Sequence, residues 1–102
     1  MEVKHRYYEN TLYLVLSGEL DEHSATYVRE TMDNLFDKFN SRQVIIDLSE
    51  MEFMDSTGIG MLIGRYKKLK ESGVPIYICN PSMHAEKIFL MTGLYDIMPK
   101  IG

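Results

Sequence analysis

Val44-Ile45-Ile46-Asp47-Leu48, leading through a loop over Ser49–Met54 into Phe53-Met54-Asp55-Ser56-Thr57-Gly58-Ile59-Gly60, is the stretch that decides the architecture. The first run is short and almost continuously apolar, as in a strand central in a sheet or covered on both faces. The period then changes. Ile59, Leu62, Ile63, Tyr66 and Leu69 recur at steps of three and four and predict a helix from about Thr57 to Glu71. Lys67, Lys68 and Lys70 fall in its last turns, at the negative end of the helix dipole, and Gly73 can end it.

Downstream, Pro75-Ile76-Tyr77-Ile78-Cys79 predicts another buried strand. Asn80-Pro81 is a helix start, with Asn as cap and Pro at the first helical position. Ala85, Ile88 and Phe89 mark a short third helix closed by Gly93, and Asp96–Ile101 a last strand. Upstream, Val3–Tyr8 and Thr11–Leu16 are β-prone runs joined by the two-residue turn Glu9-Asn10. Leu12, Leu14 and Leu16 point to one face of that hairpin, Tyr13 and Val15 to the other. Gly18-Glu19-Leu20-Asp21 breaks the strand. A helix then runs from about Glu22 to Phe39, with Ala25, Val28, Met32, Leu35, Phe36 and Phe39 as its apolar stripe. Glu30, Asp33 and Asp37 are left for solvent, and either Asp21 or Ser24 caps the start. The order β-β-α-β-α-β-α-β predicts one α/β domain over residues 1–102. Its sheet is mixed, of four to five strands, with helices packed mainly on one face.

Composition narrows the function. Eleven Lys plus Arg against 15 Asp plus Glu give a net charge of −4, a poor basis for gripping phosphate backbones. The single cysteine, Cys79, has no internal partner and no metal-ligand spacing. No apolar run approaches the ~18 residues of a membrane span, and no apolar signal core follows Met1. These features predict a soluble, cytoplasmic protein. No repeat or linker interrupts the chain.

The segment between the third strand and the second helix carries the chemistry. Asp55 or Ser56 falls at the helix N-cap, which leaves the Ser56 hydroxyl beside free backbone N–H groups and the positive helix end. Such a place tolerates an added phosphate. Gly58 and Gly60 keep side chains out of the way of another protein's active site. The plainer alternative is that Asp55 and Ser56 only cap the helix. Gly58, Gly60 and Gly64 give GxGxxxG, not the dinucleotide GxGxxG, and the pair Gly60 and Gly64 is more simply two small residues that let a helix pack closely. No phosphate loop and no GxSxG elbow occur, and His5, His23 and His84 sit in separate elements. Nothing here assembles an enzyme, a metal site or a cofactor site. The methionines, among them Met51, Met54, Met61, Met83 and Met91, serve as core filler or as an adaptable contact surface.

Phe53-Met54-Asp55-Ser56-Thr57-Gly58-Ile59-Gly60 resembles the signature loop of STAS-domain anti-sigma-factor antagonists. Gly18-Glu19-Leu20-Asp21, Gly64-Arg65-Tyr66-Lys67 and Met91-Thr92-Gly93-Leu94 resemble further segments of that family, so the likeness runs over essentially the whole chain and leans to the sporulation branch. The resemblance implies a partner switch. The unphosphorylated antagonist binds an anti-sigma factor that is also a serine kinase, a phosphate from ATP releases it, and a PPM-type serine phosphatase resets it. It implies Ser56 as phosphoacceptor, with Asp21 at the kinase contact and Asp55 and Thr57 flanking the transferred group, where Gly58 and Gly60 leave room for the partner. Nothing in the sequence demands a dimer, and a monomer is expected when the chain is free. Thr57 stands where some relatives carry serine, which leaves a second hydroxyl beside the first. The general-stress branch of the family, or a nucleotide-binding STAS regulatory module, are the alternatives.

Overall fold

The computed structural model describes residues 1–102. Strands β1 (Glu2–Tyr8) and β2 (Thr11–Leu20) form the expected hairpin. Glu9 and Asn10 both have positive φ, 48° and 64°, the geometry whose twist matches the flanking strands. Helix α1 (Ala25–Lys38), strand β3 (Gln43–Asp47), strand β4 (Met51–Met54), helix α2 (Ser56–Glu71), strand β5 (Ile76–Cys79) and helix α3 (Met83–Thr92) follow, and a 3₁₀ turn covers Leu94–Asp96. The mixed sheet has the order β1-β2-β3-β5, with β4 added beside β2.

Four local expectations are corrected. The chain from Met51 to Met54 is a strand, not loop: it pairs in parallel with Gly18–Leu20. Strand β2 accordingly does not stop at Gly18. A bulge at Gly18/Glu19, with Gly18 at φ 103°, bends it past the end of β3 and onto β4. The third helix is capped by Ser82, whose Oγ accepts from the Ala85 N–H at 3.1 Å, while Asn80 turns the chain at φ 47°. Its end is as expected, with Gly93 left-handed at φ 72°. The last strand shrinks to one bridge, Ile78 to Lys100, because Leu94 and Met98 turn inward as core residues before the chain reaches β5.

Leu12, Leu14 and Leu16 are fully buried and join Val28, Met32, Val44, Ile46, Leu62, Ile78 and Phe89 in a single apolar core. Burial of such side chains contributes about 1.5–3 kcal/mol each relative to exposure. The opposite sheet face leaves Tyr8 and Tyr13 exposed. The methionines divide: Met51, Met54 and Met61 fill the core, whereas Met83 and Met91 are 92% and 72% exposed. Asp33 is not left for solvent; it takes Arg65 at 3.0 Å and Lys68 at 3.4 Å and ties α1 to α2. A Cβ added at Gly60 or Gly64 would meet nothing within 4 Å, so these two glycines do not mediate close helix packing.

Candidate functional site

The site is built where the paired ends of β2 and β4 lie together and β4 delivers the chain to α2. Asp55 is the N-cap, in extended conformation, and Ser56 is the first helical residue. The Asp55 Oδ1 accepts from the Gly58 N–H at 3.0 Å, and its Oδ2 accepts from the Glu22 N–H at 3.3 Å. Its own N–H donates to the Leu20 carbonyl at 3.2 Å. One carboxylate thus fastens the turn after β2 to the start of α2. The turn that carries Asp21 is thereby tied to the residue before Ser56, although 35 residues separate Asp21 from Ser56 in sequence (56 − 21).

Asp21 shapes its own turn. Its Oδ1 accepts from the N–H groups of His23 at 2.9 Å and Ser24 at 3.1 Å. Partial burial alone would raise its carboxyl; those two bonds and the nearby His23 outweigh it and hold the group below the ordinary carboxylate value. Ser24 occupies the N-cap position of α1 without a side-chain cap bond; its hydroxyl instead donates to the Glu19 carbonyl at 2.8 Å.

Ser56 and Thr57 are exposed, and neither hydroxyl has a hydrogen-bond partner within the chain. Their backbone N–H groups also lack an intrachain acceptor, as expected for a first helical turn. The two segments that meet here carry Asp21, Glu22, Glu52 and Asp55 and have no Lys or Arg between residues 7 and 28 or 43 and 64. A depression lined by Glu19, Asp21, His23 and Glu52 lies on the Asp21 side of the site, and Ser56 is not among its lining residues. The Ser56 hydroxyl is therefore open to solvent and not enclosed in a pocket. No His, Cys, Asp and Glu group could hold a metal ion. No helix is long and apolar enough to cross a membrane.

The two glycines separate. Gly60 is exposed on the first turns of α2, open to an approaching surface. Gly58 is buried, and a Cβ there would lie 2.5 Å from the Leu20 carbonyl oxygen. Its smallness serves the contact of α2 with β2, not the approach of a partner. One residue that the sequence pattern sets aside as a lone histidine, His84, also reaches the site. His84 Nε2 accepts from the Met54 N–H at 3.2 Å, and its ring lies 5.4 Å from that of Phe53. A lone histidine in another element carries no local signal for such a contact.

Asp55 can be dissected by its two functions. Asp55→Ala removes the cap and the tie to Glu22, and about 1–2 kcal/mol of stability is expected to go with them in chemical denaturation. Asp55→Asn keeps an acceptor at the cap and is expected to lose a few tenths at most.

Residues 2–102 match the STAS domain family. The chain is 31% identical over 99 residues to the anti-sigma F factor antagonist of Paenibacillus polymyxa, covering 97% of this chain and 85% of that one. It is 33% identical over 90 residues to the anti-sigma-B factor antagonist of Bacillus subtilis, covering 88% and 81%. Among solved structures, the anti-sigma factor antagonist SpoIIAA in its unphosphorylated form superposes with a TM-score of 0.81 at 25% identity, covering 99% of this chain and 89% of that one. Bacillus SpoIIAA in its phosphorylated form superposes with a TM-score of 0.74 at the same identity, covering 99% and 92%.

Proposed function

This chain belongs to the STAS-domain family, among the anti-sigma-factor antagonists, and from that premise we propose that it is a partner switch thrown by phosphorylation of Ser56. Unphosphorylated, it binds an anti-sigma factor that is also a serine kinase, and so frees a sigma factor. The kinase transfers the γ-phosphoryl group of ATP to the Ser56 hydroxyl, the complex parts, and a PPM-type serine phosphatase restores the hydroxyl. The antagonist is the substrate of this chemistry and supplies neither base nor metal. Asp21, Asp55, Thr57 and Gly60 surround the acceptor at the contact, and Gly58 supports it from beneath. The free chain works as a cytoplasmic monomer without a cofactor.

The observation that carries this reading is the Ser56 hydroxyl itself, exposed and unpartnered on the first residue of α2 among free N–H groups. The sporulation branch is favoured by the longer span shared with the sigma F antagonist, the general-stress branch by a slightly higher identity over a shorter one. The two differ in partner more than in chemistry. Incubation with ATP and either a sporulation-type or a general-stress anti-sigma kinase, followed by peptide mass spectrometry, decides both questions. One phosphate on Ser56 with one kinase names the branch. No phosphate with either sinks the switch, and phosphate on Thr57 alone moves the acceptor. Equilibrium dialysis against labelled ATP and GTP addresses the nucleotide-binding alternative, in which the free chain would retain nucleotide.

A further inference from the structure

Strand β4 pairs only with β2, so its other edge has no strand to accept its N–H groups. Met54 ends that strand and is 2% exposed, so water does not readily replace a missing partner. A buried backbone N–H needs an acceptor. His84 supplies it: the Met54 N–H donates to the imidazole Nε2 at 3.2 Å. An N–H can meet only a lone pair, so this contact requires a neutral ring with its proton on Nδ1. The ring is held against Phe53, and α3 is anchored in the core by Ala85 and Phe89. The residue after Met54 is Asp55, the N-cap, and the next is Ser56.

We infer that His84 is a positioning residue for the Ser56 segment: its neutral imidazole fixes the end of β4, and protonation releases it. This rests on Ser56 being the phosphoacceptor. An imidazolium would set one donor against another, and the bond would be lost. The ionisable groups on the elements around it are Glu52 and Asp55 on the β4 side, Glu86 and Lys87 on α3, and Tyr95 and Asp96 in the 3₁₀ turn. His84 makes an ion pair with none of them, and Glu86 is already held by Lys100 at 2.9 Å. The consequence is a pH-dependent presentation of Ser56 to its kinase.

Two variants separate ring from acceptor. His84→Phe keeps a ring against Phe53 without the lone pair; His84→Gln keeps an acceptor that does not titrate. Amide NMR of the free protein across an acid-to-neutral pH series gives the first readout. The Met54, Asp55 and Ser56 amides are expected to shift together with the His84 ring signals in the native chain and to stay flat in His84→Gln. Single-turnover phosphorylation gives the second. At about pH 7.5, His84→Phe is expected to react about three- to tenfold more slowly, the factor tied to one net hydrogen bond, with His84→Gln near native. The native-to-Gln rate ratio should fall as the pH is lowered, a comparison that cancels the kinase's own titration. Amides that ignore the His84 ring, or equal rates for native and His84→Phe at every pH, would reduce His84 to packing. A native chain that accepts no phosphate overturns the Ser56 reading instead, and the amide titration still decides the role of His84.

Discussion

Ser56→Asp will bind the anti-sigma factor at least about a hundredfold more weakly than the native chain, a loss of roughly 2.7 kcal/mol or more. The reason is local charge. Phosphorylation adds about −1.5 to −2 charge and three strong acceptors; aspartate adds one negative charge at the same place. Asp21, Glu22, Glu52 and Asp55 lie on the two segments that meet at Ser56, and neither segment carries Lys or Arg between residues 7 and 28 or 43 and 64. A contact surface matched to a neutral hydroxyl then meets an anion, and unfavourable charge contacts across an interface cost several kcal/mol. Moving a complex from about 99:1 bound to 1:99 takes about 5.5 kcal/mol, within reach of the full phosphate but not of aspartate alone.

The fold should move the other way. The N–H groups of Ser56 and Thr57 have no intrachain acceptor, and the positive end of α2 favours an anion by about 0.3–1 kcal/mol. Ser56→Asp is therefore expected to unfold at an equal or slightly higher temperature while it loses its partner. That decoupling separates a charge switch from a misfolded variant. Ser56→Ala should bind the kinase and stay bound when ATP is added. Titration calorimetry with and without ATP reads both variants. Native-like affinity in Ser56→Asp would remove the electrostatic basis of the switch.

Gly58→Ala is expected to destabilise the chain by about 1–2 kcal/mol, although alanine is the better helix former. The added Cβ would meet the Leu20 carbonyl oxygen at 2.5 Å, Leu20 Cγ at 2.9 Å and Met54 Cγ at 3.0 Å. Backbone oxygen cannot step aside like the end of a side chain, and overpacking of this kind costs about 1–3 kcal/mol. Helix propensity returns at most about 1 kcal/mol. The Leu20 carbonyl is also the acceptor for the Asp55 N–H, so the same displacement loosens the cap beside Ser56. For a domain of this size the change lowers the melting temperature by about 4–8 °C per kcal/mol. Gly60→Ala, two residues on with nothing within 4 Å, should gain about 0.5–1 kcal/mol instead. Melting curves of the pair decide the matter: a Gly58→Ala melting temperature at or above native would contradict the packing account. A larger residue at Gly60 leaves the fold intact and probes whether a partner comes close there.

Much of this protein was legible in its sequence because the determining forces act over a few residues. The positive-φ turn at Glu9-Asn10, the Leu12, Leu14 and Leu16 alternation and the two long apolar stripes are all local patterns. So is the exposure of Ser56 on the first turn of a helix. What tertiary structure alone decided lies where the partner is distant in the chain. Met51–Met54 has no strand-like alternation of its own and becomes a strand because β2 bends at Gly18 to meet it. Asp55 reaches Glu22 across 33 residues, Gly58 is small because Leu20 passes over it, and His84 finds the Met54 N–H across 30. The sequence determined a hydroxyl at a helix end; packing between distant segments determined which groups hold it there, because hydrogen bonds and steric limits act on neighbours in space, whatever their separation along the chain.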